Sequence, residues 1–136
     1  MYIFDFKKRV RYAETDKMGY LYYGHYPKYY EIGRVESLRS VGISYKDMED
    51  KLRIMTPVLD LGIRYIAPAF YDQNLTIRTI LPSLPDKMLV FENEIYNPDM
   101  ELINKATVKL FFVNMDTNKR VSAPQDILDK LNDHFN

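Results

Sequence analysis

The sequence of 136 residues contains no cysteine, which excludes disulfide bonds, thiolate metal sites and a cysteine nucleophile. It also has no excess of charge, because 19 basic residues balance 19 acidic ones and no block of like charges occurs. This balance predicts neither nucleic acid nor an anionic membrane surface as a partner. No apolar run approaches the length of a membrane span, so we expect no insertion into a membrane.

The first residues and the two histidines narrow the class of protein further. Residues 1–9 carry charges where a signal peptide needs an apolar core, which predicts a cytoplasmic protein. His25 and His134 lie far apart in the sequence, and without cysteine they predict no metal site. The chain has no phosphate-binding loop ending in Gly-Lys-Ser/Thr and no Gly-x-Ser-x-Gly nucleophile elbow. We therefore expect no bound cofactor and no serine-hydrolase chemistry.

Apolar spacing predicts one long helix in the first third of the chain. The helical spacing begins near Pro27, whose missing amide hydrogen suits a first turn, and ends near Val41. Gly42 follows as the expected C-terminal cap. Gly33 lies in mid-helix, where glycine costs about 1 kcal/mol relative to alanine, and close approach to a sheet would compensate for it. Ser44 opens a capping-box pattern that predicts a short second helix.

The remainder of the chain mainly predicts strands. Apolar residues alternate from Ile54 onward, and turn-forming residues separate the alternating segments. The predicted strands cover residues 2–12, 59–65, 75–81, 88–96 and 101–115. The segment from Ile127 to Phe135 has one apolar face and predicts a short terminal helix. This order favours a single α+β domain, residues 1–136, with an antiparallel sheet of about five strands around the long helix.

The loop between the first strand and the long helix, residues 14–24, holds the candidate functional residues. Asp16 is the first candidate, because a loop carboxylate can act as a base or nucleophile. The free N–H groups in the first turn of the following helix can polarise a carbonyl. A loop aspartate can equally stabilise a turn. Six of the twelve tyrosines lie between Tyr20 and Tyr30, which is typical of a packed core or interface and also suits a pocket wall.

Five segments of the chain match a pattern of residues at fixed spacing. They are Arg9-Val10-Arg11-Tyr12, Glu14-Thr15-Asp16 with Gly19, Tyr22-Tyr23 with Tyr26 and Tyr30-Glu31, Gly33-Arg34-x-Glu36-x-Leu38-Arg39-x-x-Gly42, and Tyr65-Ile66-Ala67-Pro68-Ala69 with Asp72. In this pattern the chain resembles the hotdog-fold acyl-CoA thioesterases, in the branch of 4-hydroxybenzoyl-CoA thioesterase and the Tol-Pal-associated thioesterases. The resemblance implies a hotdog fold and an obligate homodimer, often paired into a homotetramer, with active sites at the subunit interface.

The resemblance also implies catalytic roles in the loop. Asp16 matches the family's catalytic carboxylate, which acts either as a nucleophile or as a general base on water. Backbone N–H groups near Tyr23 and Gly24 would polarise the thioester carbonyl. His25 stands where the family often has asparagine or serine, so it is a candidate to orient the carboxylate or water, with helix capping or solvent exposure as the alternatives.

Several other residues are candidates for binding the substrate. Gly19 is expected to provide the backbone geometry of the loop. Met18 and Tyr26 are expected to line a pocket or to pack in the core. Lys87 is a candidate for the phosphates of CoA, since related enzymes use basic residues nearby, and a solvated lysine is its alternative. Glu31 on the helix is a rival catalytic carboxylate, with an ion pair to Arg34 or an interface contact as its alternative.

The resemblance predicts an acyl-CoA thioesterase that releases a free carboxylic acid and CoA. One alternative is an acyl-carrier-protein thioesterase of lipid synthesis, for which the carrier protein would be a partner. The other alternative is a non-catalytic module that binds acyl thioesters, because one fold can host unrelated functions.

Overall fold

The computed structural model describes residues 1–135 and contains one antiparallel sheet and three α-helices. The elements follow one another as β1 (Tyr2–Arg9), α1 (Tyr26–Ser40), α2 (Tyr45–Asp50), β2 (Ile54–Met55), β3 (Val58–Tyr65), β4 (Asn74–Leu81), β5 (Met88–Tyr96), β6 (Leu102–Asn114), β7 (Lys119–Val121) and α3 (Gln125–Asn132). Short 3-10 turns cover Tyr12–Glu14, Tyr23–His25 and Asp133–Phe135. Within residues 1–135, none of the helices has both the length and the apolar character needed to cross a membrane.

The sheet is built around β6, its longest strand. β1, β4, β5 and β6 are neighbours in that order, and β3 pairs with the other side of β6. The pairings are antiparallel, so that Arg9 of β1 lies opposite Asn74 of β4 and Tyr2 lies opposite Leu81. The short strands β2 and β7 pair with the end of β6 near Asn114. β1 and β3 are therefore the two long edges of the sheet.

Helix α1 packs closely on one face of the sheet because Gly33 has no side chain. A Cβ atom at Gly33 would lie 2.7 Å from Thr79 Oγ1 and 2.9 Å from Ile77 Cγ2, both on β4. The close approach to a sheet that we expect from a mid-helix glycine is therefore confirmed.

Two clusters of buried side chains fill the space between the helices and the sheet. One contains Tyr29 and Tyr30 of α1 together with Leu21 and Tyr26. The other lies towards the C-terminal end of α1 and includes Leu131 of α3. The first cluster matters for function, because it anchors the loop that precedes α1 to the interior of the molecule.

The five long strands and the long helix agree with the sequence-based prediction, although their ends differ by one to three residues. The largest difference concerns β1, which ends at Arg9 and not at Tyr12. The chain turns away from the sheet at this point: the Val10 N–H donates to the Gln73 carbonyl, and a 3-10 turn begins at Tyr12. β2 and β7 lie outside the prediction, because strands of two and three residues are too short to show alternation.

Candidate active site

The loop that carries Asp16 is a tight, internally hydrogen-bonded turn. The Asp16 N–H donates to the Tyr20 carbonyl at 2.8 Å, and the Gly19 N–H donates to the Asp16 carbonyl at 3.0 Å. Gly19 has a φ of +80°, in the left-handed region that favours glycine. The Tyr71 N–H donates to the Gly19 carbonyl, which ties the turn to the segment before β4. The backbone of the loop that carries Asp16 is therefore fixed both by hydrogen bonds within the turn and by the hydrogen bond from Tyr71.

The two oxygens of the Asp16 carboxylate have different surroundings. Oδ1 accepts hydrogen bonds from the backbone N–H groups of Met18, at 2.9 Å, and Tyr20, at 3.1 Å. Oδ2 accepts no hydrogen bond from residues 1–135, and the side chain is exposed. Asp16 therefore stabilises the turn through one oxygen and leaves the other oxygen available for chemistry.

Two backbone N–H groups next to this loop are also free of partners. The 3-10 turn Tyr23–His25 leads directly into α1, and the first N–H groups of such a turn have no acceptor within it. Among the described residues, neither the Tyr23 N–H nor the Gly24 N–H donates to a protein acceptor. The neighbouring amides do: Tyr22 N–H donates to the Glu14 carbonyl and His25 N–H donates to the Tyr22 carbonyl. Both N–H groups are therefore available to an acceptor from outside the chain.

Asp16 lies at the edge of an aromatic surface depression of about 310 Å³. The depression is lined by residues from the loop, the start of α1 and the end of β3, namely Asp16, Tyr20, Leu21, Tyr23, Tyr26, Tyr65, Ile66, Ala67 and Pro68. Three of the candidate residues, Asp16, Tyr23 and Tyr26, thus lie around one depression. The carboxylate and the start of the 3-10 turn border a space whose walls are mainly apolar.

Hydrogen bonds and ring contacts hold the tyrosines of this wall in place. The Tyr65 hydroxyl donates to the Tyr23 carbonyl at 2.9 Å, which joins the end of β3 to the 3-10 turn. The Tyr26 ring meets the Tyr65 ring edge-on, with 5.1 Å between ring centroids. Tyr26 is only 3 % exposed, and burial raises the pKa of its hydroxyl. Tyr26 therefore remains a neutral hydrogen-bond donor at physiological pH.

Three other candidates lie beside the depression and do not line it. Met18 follows Asp16 in the loop and its side chain is exposed. Gly24 is exposed beneath the Tyr22 ring, where an added Cβ would lie 2.6 Å from Tyr22 Cε2. His25 is half-buried at the start of α1, with its ring centroid 5.7 Å from that of Tyr22. Within the described residues, the His25 imidazole contacts neither carboxylate oxygen of Asp16 by a hydrogen bond.

The structure separates Lys87 and Glu31 from this depression. Lys87 directly precedes β5 and lies at the end of β4 that is marked by Leu81, whereas the Asp16 loop lies at the end marked by Asn74. The length of β4 places these ends on the order of 20 Å apart. Glu31 is exposed on α1 and does not line the depression. Within one chain, neither side chain is part of the arrangement around Asp16.

Glu14 is a buried carboxylate whose role the sequence does not reveal. It is 6 % exposed and accepts hydrogen bonds at Oε1 from Lys8 Nζ (3.1 Å), the Arg11 N–H (3.0 Å) and the Tyr29 hydroxyl (2.8 Å). Lys28 Nζ lies 2.8 Å from Oε2. Burial alone would raise the pKa of Glu14, but the hydrogen bonds from Lys28, the Arg11 amide, Tyr29 and Lys8 outweigh it and lower the pKa to about 2. Glu14 is therefore ionised throughout the physiological range.

Comparison with known proteins gives similarities over most of the chain. The sequence profile of the Thioesterase-like superfamily matches residues 10–131. YneP of Bacillus subtilis, named as a candidate acyl-CoA thioesterase, is 36 % identical over 112 residues, which are 82 % of this chain and 80 % of YneP. The acyl-CoA thioester hydrolase YbgC of Escherichia coli is 32 % identical over 126 residues, and 93 % of each chain is covered.

A solved structure is similar over the whole chain. The DHNA-CoA thioesterase of Staphylococcus aureus shares 30 % sequence identity and superposes with a TM-score of 0.88. The alignment covers 100 % of this chain and 97 % of the other. The similarity therefore includes the sheet, the long helix and the loop between β1 and α1.

Proposed function

Because this chain belongs to the Thioesterase-like superfamily, we propose that it is a hotdog-fold acyl-CoA thioesterase, which hydrolyses an acyl-CoA to a free carboxylic acid and CoA. The names of its relatives YbgC and the DHNA-CoA thioesterase support a CoA thioester as the substrate. The observation that carries the proposal is the pairing of a free carboxylate oxygen on Asp16 with two free N–H groups at Tyr23 and Gly24.

This pairing is sufficient for thioester hydrolysis. The Tyr23 and Gly24 N–H groups bind the carbonyl oxygen and stabilise the negative charge that it gains when the carbonyl carbon is attacked. Asp16 either removes a proton from the attacking water or attacks the carbon itself, forming an anhydride that water then hydrolyses. In both routes the carbon–sulfur bond breaks, and the thiolate of CoA leaves and takes up a proton. A thiolate is a good leaving group, so no further acid is required.

The remaining candidate residues have supporting roles in this proposal. Gly19 permits the turn that orients the Asp16 side chain. Tyr26 and the neighbouring tyrosines form the wall of the depression that would contact the acyl group. Met18 is proposed to contact the substrate at the rim of the depression. His25 is proposed to orient water near the carboxylate. Lys87 is proposed to bind a phosphate of CoA, either within the same chain or across a subunit interface.

We further propose that the chain forms a homodimer through β3, alone or within a homotetramer. β3 pairs with β6 along one side, and no strand among residues 1–135 pairs with its other side. Apolar side chains are exposed along and just after this edge strand, at Val58, Leu59, Tyr65 and Ile66. An exposed apolar edge of this kind favours pairing with another strand. Tyr65 and Ile66 also line the depression beside Asp16, so a partner at β3 would complete its wall.

A thiol-release assay on a panel of acyl-CoA substrates tests the proposed reaction. The panel should contain short-chain, long-chain and aromatic acyl groups, and the best acyl group should also be presented on acyl-carrier protein. We expect a clear optimum among the CoA thioesters. Faster turnover on the carrier protein would instead support the acyl-carrier-protein thioesterase. Tight binding without turnover on either carrier would support a non-catalytic binding module and contradict the proposal.

A further inference from the structure

Glu14 is a buried, charged group that the proposed reaction does not use. Its carboxylate accepts four donors: one from β1, one from the Arg11 N–H directly before the 3-10 turn, and two from α1. Both lysines that contact it lie elsewhere in the sequence, Lys8 on β1 and Lys28 in the first turns of α1. A buried carboxylate with this many donors from three separate elements fixes those elements relative to one another.

Glu14 connects the two parts of the candidate active site, which are the turn that carries Asp16 and the free N–H groups of Tyr23 and Gly24. Glu14 precedes Asp16 by two residues, so its anchored side chain fixes the start of the acidic loop. Its backbone carbonyl accepts the Tyr22 N–H at 3.0 Å, directly before the free N–H groups of Tyr23 and Gly24. The side chain of Glu14 therefore holds a segment that leads directly into the Asp16 turn. The backbone of the same segment is hydrogen-bonded to the residue before the 3-10 turn Tyr23–His25.

The contacts of Glu14 also fix helix α1, which follows the 3-10 turn Tyr23–His25. Tyr29 is fully buried, and its hydroxyl donates to Glu14 at 2.8 Å. Burial and the contact with Glu14 raise the pKa of Tyr29, so the hydroxyl keeps its proton and remains a donor. Lys28 reaches the same carboxylate from the preceding position of α1. Two adjacent residues of α1 thus bind the Glu14 carboxylate. These two contacts set the position of the start of α1 relative to the loop that carries Asp16.

From these contacts we infer that Glu14 is a positioning residue, which holds Asp16 and the Tyr23 and Gly24 N–H groups at the separation that hydrolysis requires. This inference rests on the proposed function. It assigns no contact between Glu14 and the substrate. The carboxylate acts through the loop geometry, where an error of about 1 Å can lower the rate of reaction roughly 100-fold.

Replacing Glu14 with glutamine tests this role with little change in shape. The amide can accept from the Arg11 N–H and the Tyr29 hydroxyl, but it loses the charge that attracts Lys8 and Lys28. We expect kcat on the best acyl-CoA to fall by about 10- to 100-fold, with KM changed by less than about 3-fold, because the reacting groups move while the part of the wall at the end of β3, from Tyr65 to Pro68, has no contact with Glu14 and remains. Wild-type kcat in a folded Glu14→Gln protein would overturn the inference.

A remote core substitution distinguishes positioning from a general loss of stability. Ile127 is buried on α3 in the cluster that does not contain the Asp16 loop. Ile127→Ala should lower the thermal midpoint and leave kcat unchanged at a temperature well below that midpoint. An equal loss of kcat in Ile127→Ala and Glu14→Gln, at matched stability, would contradict a specific role for Glu14.

Hydrogen exchange supplies a readout that is independent of activity. The Met18 and Tyr20 amide hydrogens are bound by Asp16 Oδ1, so they report directly on the acidic loop. In Glu14→Gln they should exchange at least about 10-fold faster than in the wild type, while the amides of β5 and β6 are unaffected. Unchanged protection of Met18 and Tyr20 would overturn the inference.

A second variant covers the case in which Glu14→Gln does not fold. The Lys28 side chain is half exposed, so Lys28→Met removes one donor from Oε2 at little cost to the core. It should lower kcat in the same direction by about 3- to 10-fold, and wild-type kcat would contradict the inference. Asp16→Asn distinguishes the two proposals. Full activity of Asp16→Asn would contradict the proposed function. An inactive Asp16→Asn protein together with fully active Glu14→Gln and Lys28→Met proteins would contradict only the role of Glu14.

Discussion

Two carboxylates separated by one residue, Glu14 and Asp16, lie in opposite environments. Glu14 is buried and all of its contacts are with the protein, whereas Asp16 is exposed and has one free oxygen. A buried carboxylate with four donors resists protonation and movement, which suits a fixed anchor. A carboxylate with one oxygen held and one free is oriented yet still available for chemistry.

Stability should depend on pH through Glu14. Its pKa is about 2 in the folded protein, against the ordinary glutamate value of 4.5 that applies to the unfolded chain. The unfolded state therefore binds the proton first as pH falls, so the contribution of Glu14 is complete above about pH 5 and is lost towards pH 2. We expect this contribution to be about 3 kcal/mol at pH 7. Denaturant unfolding at pH 7, 4.5 and 3 measures it.

The Glu14→Gln variant isolates this contribution from that of the other carboxylates. Its free energy of unfolding should fall less steeply between pH 5 and pH 3 than that of the wild type, because residue 14 no longer takes up a proton. Identical pH dependence in the two proteins would show that Glu14 does not titrate with a lowered pKa.

The sequence reveals Asp16 more readily than Glu14, and the reason is physical. The groups that we propose to act with Asp16 lie in the same short segment of the chain, so a local motif with glycine and tyrosines at fixed spacing makes it a candidate. Glu14 depends on Lys8 and Lys28, which approach it only after β1 and α1 have packed. Its place in the motif is a local signal, but the burial on which its proposed role depends is a property of the tertiary structure.

At the scale of the elements, Gly33 explains how α1 fits against β4. Alanine at position 33 would gain about 1 kcal/mol of helix propensity. Its Cβ, however, would lie 2.7 Å from Thr79 Oγ1 and 2.9 Å from Ile77 Cγ2, closer than van der Waals contact allows. Overpacking of this kind costs about 1–3 kcal/mol, and a displaced helix would lose further contacts. We therefore expect Gly33→Ala to destabilise the protein by about 1–2 kcal/mol in denaturant unfolding.

Glu31→Ala is the matched control, because Glu31 lies on the same helix and is exposed. Its free energy of unfolding should stay within about 0.5 kcal/mol of the wild-type value. A Gly33→Ala protein that is more stable than the wild type would mean that propensity outweighs packing and that α1 can move away from the sheet.

Element length decides what the sequence could predict about the fold. α1 and the five long strands each repeat their apolar pattern often enough to be recognised, and the hotdog arrangement implied by the family resemblance is confirmed by the solved relatives. β2 and β7 are stabilised by pairing with β6. A sequence of only two or three residues shows no alternating pattern from which this pairing could be predicted. The end of β1 at Arg9 likewise depends on contacts of Val10 with a distant segment.

At the scale of the whole molecule, the two sheet edges differ in character. β1 presents Asp5, Lys7 and Arg9 on its exposed face, and such charges discourage pairing between edges. β3 instead exposes apolar side chains, including Val58, which is 51 % exposed. The wild-type protein should therefore have at least twice the 16.2 kDa mass of one chain in sedimentation analysis. Val58→Lys should weaken this association about 10-fold or more, because a charge would be buried at the interface.

The other edge of the sheet provides the control. Ile3 on β1 is exposed to a similar degree, 50 %, so Ile3→Lys makes the same chemical change at an edge that is not proposed to associate. Its mass in solution should equal that of the wild type. A monomeric wild-type protein, or equal weakening by both substitutions, would contradict dimerisation through β3.

The position of Lys87 also belongs to this scale. The sequence suggests a CoA-binding lysine from the resemblance alone, but sequence distance does not reveal which end of the sheet a loop occupies. The antiparallel pairing of β1 with β4 puts the Asp16 loop at one end and the loop before β5 at the other. A role for Lys87 therefore requires either that CoA extends from the Asp16 loop towards the other end of the sheet or that a second subunit brings a Lys87 side chain close.

The most direct test of the central claim compares Asp16→Asn with the wild type in steady-state thiol release from the best acyl-CoA. Asparagine keeps an oxygen that can accept from the Met18 and Tyr20 N–H groups, so the loop should remain folded while the base or nucleophile is lost. Asp99→Asn, an exposed aspartate in the turn between β5 and β6, makes the same substitution away from the site. We predict that kcat falls at least about 100-fold in Asp16→Asn and is unchanged in Asp99→Asn. Full activity in a folded Asp16→Asn protein would contradict the proposed mechanism.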